Sequence, residues 1–554
     1  MSSLPFKAPR LQVTNTEHDA VREGRTRIRI GAATFALALA IAGLRLGEVA
    51  LFTPDASALV LPDAVTAERA DITDRNGELL ATTLETYSLY AEPGRVWDAE
   101  EAARAIVGAR PHLDRAKIAS ELASDKAFVW IERGLTPREK QEVFELGQPG
   151  LGFRTEPKRT YPAGRLAAHV LGFTDVDMIG VAGAERAFEE RLSAPGAPAV
   201  ALSLDMGVQH ALTEELAAGL AKFEAETIAG VVLDVKSGEI LAMASLPDFD
   251  PNHPGKVPAK SRYNHAAMST YELGSVFKPL TLALALETRT STETELFPVQ
   301  DKLVVNRKSV RDDHPSKVPL AMPDILAESS NRGTGIMALR AGADAQRRFL
   351  AGLGLLDRVP YELAESARPL VQERWPDITT VTVGYGHGIG VTPLALLSAV
   401  GSVFNNGIRV EPTILKRSAA NAPVVRRAMS REVARSVAGM MRYTVTDGTG
   451  RNADVEGYGV MGKTGTADKP SRGGYDEGNL VTSFVAGFPY ENPHYAVIVT
   501  FDEPKAIEGT YGYATAGWNA APTAGNVIAR IAPLLGVEKR PVSQTLSPYR
   551  KAEP

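Results

Sequence analysis

An α+β fold is what the sequence predicts for its largest region, and three observations carry that expectation. Gly230-Val231-Val232-Leu233-Asp234-Val235 and Glu239-Ile240-Leu241-Ala242-Met243-Ala244 are apolar runs joined across Lys236-Ser237-Gly238, the pattern of a β-hairpin. Further extended runs come only much later, at 458–467, 480–488 and 495–501, with Tyr490-Glu491-Asn492-Pro493 as a turn before the last. Between them, from 280 to about 402, the texture is helical with Pro and Gly interruptions. Strands at both ends with helices between them imply an antiparallel sheet whose first and last strands meet in space.

The chain has 554 residues, enough for three or four structural units. With 44% hydrophobic and 23% charged residues it is ordinary globular protein. A net charge of -5 argues against nucleic-acid binding by bulk charge. There is no cysteine, which removes disulfides, thiolate metal sites and cysteine nucleophiles. The nine histidines follow no metal-ligand spacing, so no metal site is expected and catalysis must rest on other side chains.

Element by element, residues 1–29 are polar, with Lys7, Arg10, Arg22, Arg25, Arg27 and Arg29 against Glu17, Asp19 and Glu23. An apolar run follows from Ile30, uncharged to Leu44 and reaching Phe52 if Arg45 and Glu48 snorkel at its end. At about 1.5 Å per residue, 30–52 is long enough for a hydrocarbon core of about 30 Å. The basic flank predicts a cytoplasmic N-terminus with the remainder across the membrane. The Ala-x-Ala of Ala56 and Ala58 lies too far beyond the run to favour a cleaved leader. From 61 to 225 the chain is rich in turns and charge, with extended pieces such as Thr86-Tyr87-Ser88-Leu89-Tyr90 and a helix at 137–146. A final helix is expected at 523–535, and 538–554 reads as a loose polar tail.

Three short stretches could carry chemistry. In Tyr271-Glu272-Leu273-Gly274-Ser275-Val276-Phe277-Lys278-Pro279, Ser275 is expected to open a helix, with Pro279 in its first turn and Lys278 on the face of Ser275. A serine hydroxyl needs a base, and a lysine serves only when burial and a helix N-terminus keep it neutral. Alone, Ser-x-x-Lys marks a capped, solvated helix start just as well. In Ser329-Ser330-Asn331, set in a break between helical segments, Ser329 can pass a proton and the Asn331 amide can hold a carbonyl. A helix cap is the plainer reading of that triplet. In Gly462-Lys463-Thr464-Gly465-Thr466, Lys463 with Thr464 or Thr466 could bind a carboxylate while the glycines let a peptide approach a strand edge. An edge strand with a protective lysine is the alternative.

In this order the three motifs resemble those of the penicillin-recognising serine enzymes. Upstream, Arg69-Ala70-Asp71-Ile72-Thr73-Asp74-Arg75-Asn76-Gly77, Arg159-Thr160-Tyr161-Pro162-Ala163-Gly164 and Gly180-Val181-Ala182-Gly183-Ala184-Glu185 are similar to three boxes of the class B penicillin-binding proteins. Ala70, Leu273 and Val276 depart from the usual Gly, Pro and Thr. Gly384-Tyr385-Gly386-His387 resembles a family segment in which His387 would be structural.

The resemblance, closest to the division-specific penicillin-binding protein 3 type, implies a tail (1–29), an anchor (30–52), a pedestal of the class B dimerisation kind (53–225), a transpeptidase domain (226–537) and a polar tail (538–554). The catalytic domain would be an antiparallel sheet with helices on both sides and an all-α subdomain. It implies a peptidoglycan D,D-transpeptidase of the inner membrane, facing the periplasm, that cross-links stem pentapeptides at the septum and is acylated by β-lactams. Ser275 would be the nucleophile, Lys278 its base and Ser329 the proton relay. Asn331 would hold the peptide backbone and Lys463, Thr464 and Thr466 the terminal carboxylate, with Gly465 a further substrate-binding residue of the same strand. The amides of Ser275 and Thr466 would form the oxyanion hole. No cofactor is needed. Expected partners are a polytopic lipid II polymerase and other divisome membrane proteins. An elongation-type transpeptidase and a non-catalytic penicillin-binding scaffold or sensor are the alternatives.

Overall fold

The computed structural model describes residues 29–43, 69–471, 474–541, 543 and 545–549. Residues 29–43 are helical and exposed. Residues 44–52 of the expected span, and 1–28 before it, lie outside the described residues. Among the described residues no helix is long and apolar enough to cross a membrane. The described residues from 69 onward form one compact unit built around two five-stranded sheets.

The first sheet contains β1 (Ile72–Thr73), β2 (Leu79–Ala91), β3 (Val129–Leu135), β4 (Leu151–Thr160) and β5 (Val200–Ala201), with helices α1 (Ala99–Ala109), α2 (Arg115–Leu122) and α3 (Pro137–Phe144) between them. Its hub is β2, to which β1, β3 and β4 all pair antiparallel, while β5 runs parallel to β1. The helices start where the sequence supplies caps. Asp98 and Asp114 accept from the first free N–H groups, and Thr136 with Glu139 closes a capping box. Their apolar sides bury Ile106, Ile118 and Leu122 with Leu89 and Val129 of the sheet.

The three upstream motifs meet in one buried ionic cluster. Arg69 Nε and Arg159 Nε each lie 2.7 Å from the Glu185 carboxylate, whose side chain is fully buried. Arg69 also pairs with Glu189 at 2.9 Å and donates to the Glu185 and Met178 carbonyls. Residues far apart in sequence are thereby tied to one point.

The second region runs α4 (Met206–Lys222), β6 (Thr227–Asp234), β7 (Ile240–Leu246), α5 (Lys278–Glu287), α6 (Met322–Ala327), α7 (Asn331–Ala341), α8 (Pro393–Phe404), α9 (Arg431–Thr446), β8 (Met461–Ser471), β9 (Gly474–Phe488), β10 (Tyr495–Asp502) and α10 (Ala520–Leu534). Its five strands lie in the order β8-β9-β10-β6-β7, every pairing antiparallel. The expected hairpin is present, with Val231 opposite Met243, and first and last strands meet, with Val231 opposite Ile498. Alternate residues of β6 face opposite layers. Val231 and Leu233 join Leu396, Val400 and Met440 on one side, while Ile228 and Val232 join Leu212, Leu216 and Val527 on the other. At roughly 1.5–3 kcal/mol per large apolar side chain buried, a one-residue slip would forfeit both layers.

Two expectations are corrected. Ser275 does not open an α-helix, because Gly274–Phe277 is a 3-10 turn and α5 begins at Lys278, with Pro279 next. Nor is the closing segment loose where it is described: Arg442 Nε donates to the Thr545 carbonyl at 2.6 Å and Ser547 Oγ to that of Gly439 at 2.9 Å. Tyr549 reaches Glu293 at 2.6 Å. Its polar groups are satisfied by partners more than a hundred residues away, which composition does not reveal.

Candidate active site

The nucleophile candidate sits where a turn, a helix and the edge strand touch. Ser275 lies in the 3-10 turn and the Lys278 amide donates to its carbonyl, so both side chains belong to one tight turn. This turn presses on β8. A Cβ at Gly465 would lie 2.3 Å from the Leu273 carbonyl oxygen, and one at Gly274, which has φ +61°, would lie 2.8 Å from that of Thr466. Only glycine permits either approach. The backbones of Ser275 and Thr466 thus belong to segments in direct contact. From behind, Gly386 accepts from the Gly274 amide at 3.2 Å and Gly388 donates to Glu272 at 2.9 Å.

Ser329 is the meeting point. It occupies the break between α6 and α7, with the left-handed φ of +63°. Lys278, wholly buried, donates from Nζ to the Ser329 carbonyl and, at 3.1 Å, to its Oγ. Lys463, wholly buried on β8, donates to the same Oγ at 3.0 Å. It also donates to the Thr464 carbonyl at 3.1 Å and to Thr464 Oγ1 at 3.2 Å. Two amines therefore share one hydroxyl. Burial pushes Lys278 down to about 7, against the opposing pull of Asp312 and Asp313. Burial and the neighbouring Lys278 hold Lys463 well below the ordinary lysine value. A neutral Lys278 can accept a proton, and Ser329 Oγ can give or receive one, so the pair forms a reversible proton path.

A cleft of about 530 Å³ opens over this centre, lined by Ser275, Ser329, Thr464 and Thr466 and flanked by Asp312 and Arg451. Thr464 Oγ1 is 2.9 Å from Thr449 Oγ1, and Thr466 Oγ1 accepts from the Ala516 amide at 3.1 Å. Hydroxyls backed by a buried amine are suited to a carboxylate at the strand edge. The structure thus brings together Ser275, Lys278, Ser329, Lys463, Thr464, Gly465 and Thr466. Asn331 stands slightly apart: it is the first residue of α7, and its side-chain amide donates to the Arg311 carbonyl at 2.8 Å.

Sequence reasoning missed Asp312, Thr449, Arg451 and Trp518, all lining the cleft. Gly448-Thr449-Gly450 shares the glycine-flanked hydroxyl pattern of the β8 motif and could have been singled out. The others carry no local signal.

Two families match. One is described as the penicillin-binding protein transpeptidase domain, over residues 228–529, the other as the penicillin-binding protein dimerisation domain, over 64–196. A probable peptidoglycan D,D-transpeptidase FtsI of Caulobacter vibrioides is 38% identical over 94% of this chain and 90% of its own length. A probable peptidoglycan D,D-transpeptidase PenA of Neisseria gonorrhoeae is 33% identical, with 83% of this chain and 84% of that protein covered. The crystal structure of penicillin-binding protein 3 from Mycobacterium tuberculosis in complex with aztreonam superposes with a TM-score of 0.68 at 25% identity, covering 86% of this chain and 98% of that one.

Proposed function

This chain belongs to the penicillin-binding protein transpeptidase family, in its class B form, and from that premise we propose the following chemistry and cellular role. The enzyme is a serine-type peptidoglycan D,D-transpeptidase. Neutral Lys278 takes the Ser275 proton as Oγ attacks the penultimate D-Ala carbonyl of a stem pentapeptide. The oxyanion is held by the amides of Ser275 and Thr466. Collapse breaks the peptide bond, and the terminal D-Ala leaves with the proton relayed from Lys278 through Ser329. An amine of a neighbouring stem then attacks the Ser275 ester, returning its proton along the same path and releasing the cross-linked peptide. Lys463, Thr464 and Thr466 hold the donor's terminal carboxylate, and Gly465 gives the peptide access to the strand. The resemblance also assigns Asn331 to the peptide backbone, a role open to its Oδ1 and its second Nδ2 hydrogen while the other is held by the Arg311 carbonyl. β-Lactams acylate Ser275 as mimics of the donor.

The observation that supports this reading is the convergence of two fully buried lysines on Ser329 Oγ beside Ser275 in one cleft. Fluorescent penicillin tests it. Wild-type protein labels and Ser275→Ala does not; equal labelling of the two would overturn the assignment.

The likeness to division transpeptidases supports a septal role. Residues 30–52 anchor the protein in the inner membrane, with 53–225 as a periplasmic pedestal, 226–537 as the transpeptidase domain and 538–554 as its polar tail. Its partners are a polytopic lipid II polymerase and other divisome membrane proteins. Depletion produces filaments on this reading, whereas rounded cells would transfer the enzyme to elongation.

A further inference from the structure

The loop ahead of α6 does more than border the cleft. It is stitched to the start of α7: Arg332 Nε donates to the Val310 carbonyl at 3.3 Å and Asn331 Nδ2 to that of Arg311 at 2.8 Å. Asp312 closes the seam. Its Oδ2 accepts from Ser330 Oγ at 2.9 Å, and its Oδ1 accepts from the amides of Asn331 at 2.5 Å and Arg332 at 3.0 Å.

Ser330 Oγ satisfies only the Gly333 amide, at 3.1 Å, so Asp312 takes two further free amides of the first turn of α7 and, through Ser330 Oγ, grips the cap residue itself. What remains to be held is the residue just before. Ser329 is a non-glycine residue at φ +63°, a conformation that persists only when its surroundings over-determine it. On its N-terminal side Ser329 N has a long 3.3 Å bond to Leu326, and Ser330 N a 2.9 Å bond to Ile325. On its C-terminal side the carboxylate of Asp312 supplies three bonds in successive residues.

We propose that Asp312 is a positioning residue of this site: by clasping Ser330, Asn331 and Arg332 it fixes the turn that presents the Ser329 hydroxyl and carbonyl to Lys278. This rests on the assignment of Ser275 and Lys278 made above. Asp312 is also a charge in the neighbourhood of Lys278. The other charged or titratable groups acting there are Asp313 from the same loop, Lys463 from β8 and His387 from the segment behind the nucleophile turn. The carboxylates favour the protonated lysine, while burial favours the neutral one.

The test is the rate of acylation by fluorescent penicillin across pH, using the full-length chain in detergent with Asp312→Asn, Asp312→Glu and, as reference, Ser275→Ala. Asp312→Asn is expected to lower the high-pH plateau about fivefold or more and to move the acidic limb down by about half a pH unit. Asp312→Glu keeps the charge, so its limb stays in place while its longer reach still lowers the plateau. An Asp312→Asn enzyme with either an unchanged plateau or an unmoved limb overturns the proposal. Should Asp312→Asn not fold, an Asp312→Glu plateau equal to wild type overturns it instead. Labelling that survives Ser275→Ala would sink the underlying assignment, whereas labelling lost in Ser275→Ala but indifferent to Asp312 sinks only the clasp.

Discussion

Two buried clusters of charge-bearing residues sit in this protein, and they are solved in opposite ways. In the first region Arg69 and Arg159 are matched against Glu185 and Glu189, and carbonyls take further donors of Arg69. In the second, Lys278 and Lys463 are just as deeply buried but meet hydroxyl and carbonyl oxygens. Guanidinium groups cannot shed their charge, so burying them demands carboxylates. Lysines can shed theirs, and burial without a bonded carboxylate pushes them to do so. The contrast separates a cluster that holds segments together from one poised to move protons.

The largest effect expected from breaking that contrast is on the reactive side. Lys278→Ala should slow penicillin acylation by about 10²–10⁴-fold, measured as labelling rate, without loss of folded protein in thermal melts. If the rate stays within twofold, Lys278 is not the base. On the structural side, Glu185→Gln leaves Arg159 without a carboxylate and Arg69 with Glu189 alone, and should cost about 3–5 kcal/mol, read from urea denaturation. The fraction that remains folded should still label, and an unchanged midpoint would show that the cluster bears no stability.

Next comes pH. Because protonated Lys278 cannot act as base, acylation should rise with pH, by close to tenfold per unit below about 7, and level off above it. The linked stability has the same sign: with Lys278 lowered from 10.5 to about 7, its share is complete above the unfolded value and is lost as pH falls toward the folded one. A rate that is flat from pH 6 to 8 (roughly one unit either side of that value) would remove the neutral-lysine argument. The smallest effect belongs to an exposed pair. Arg138 and Glu142 lie 3.0 Å apart on α3 with the arginine 89% exposed, and Arg138→Ala should cost about 0.5 kcal/mol or less. A loss approaching that of Glu185→Gln would erase the distinction between buried and surface ion pairs.

What could be read ahead of the structure was whatever is local. The hairpin from Gly230 to Ala244 announces itself by two apolar runs and a Ser-Gly turn, and the Ser275, Ser329 and Lys463 stretches each fit within a few consecutive residues. Sequence also placed Lys278 three residues after Ser275, though as an α-helical neighbour and not as the end of a 3-10 turn. Asp312 stayed hidden because its partners lie at 330–332, brought to it only by the packed loop. Trp518 was likewise without a local signal. The upstream boxes were visible as strings, but that Arg69, Arg159 and Glu185 share one buried point is a property of the folded chain.

The placement of β10 beside β6 has a consequence for how the chain comes together. Val231 and Ile498 are partners at the centre of the sheet, so the strand that completes this part of it is the last to be synthesised. Until then β6 and β7 are a largely apolar hairpin with an open edge, and β8 and β9 have no route into the sheet except through β10. Such long-range pairing is slow to form and leaves unpaired edge exposed while it waits. The hazard for this protein during biogenesis is thus concentrated between the emergence of its second catalytic-region strand and its last.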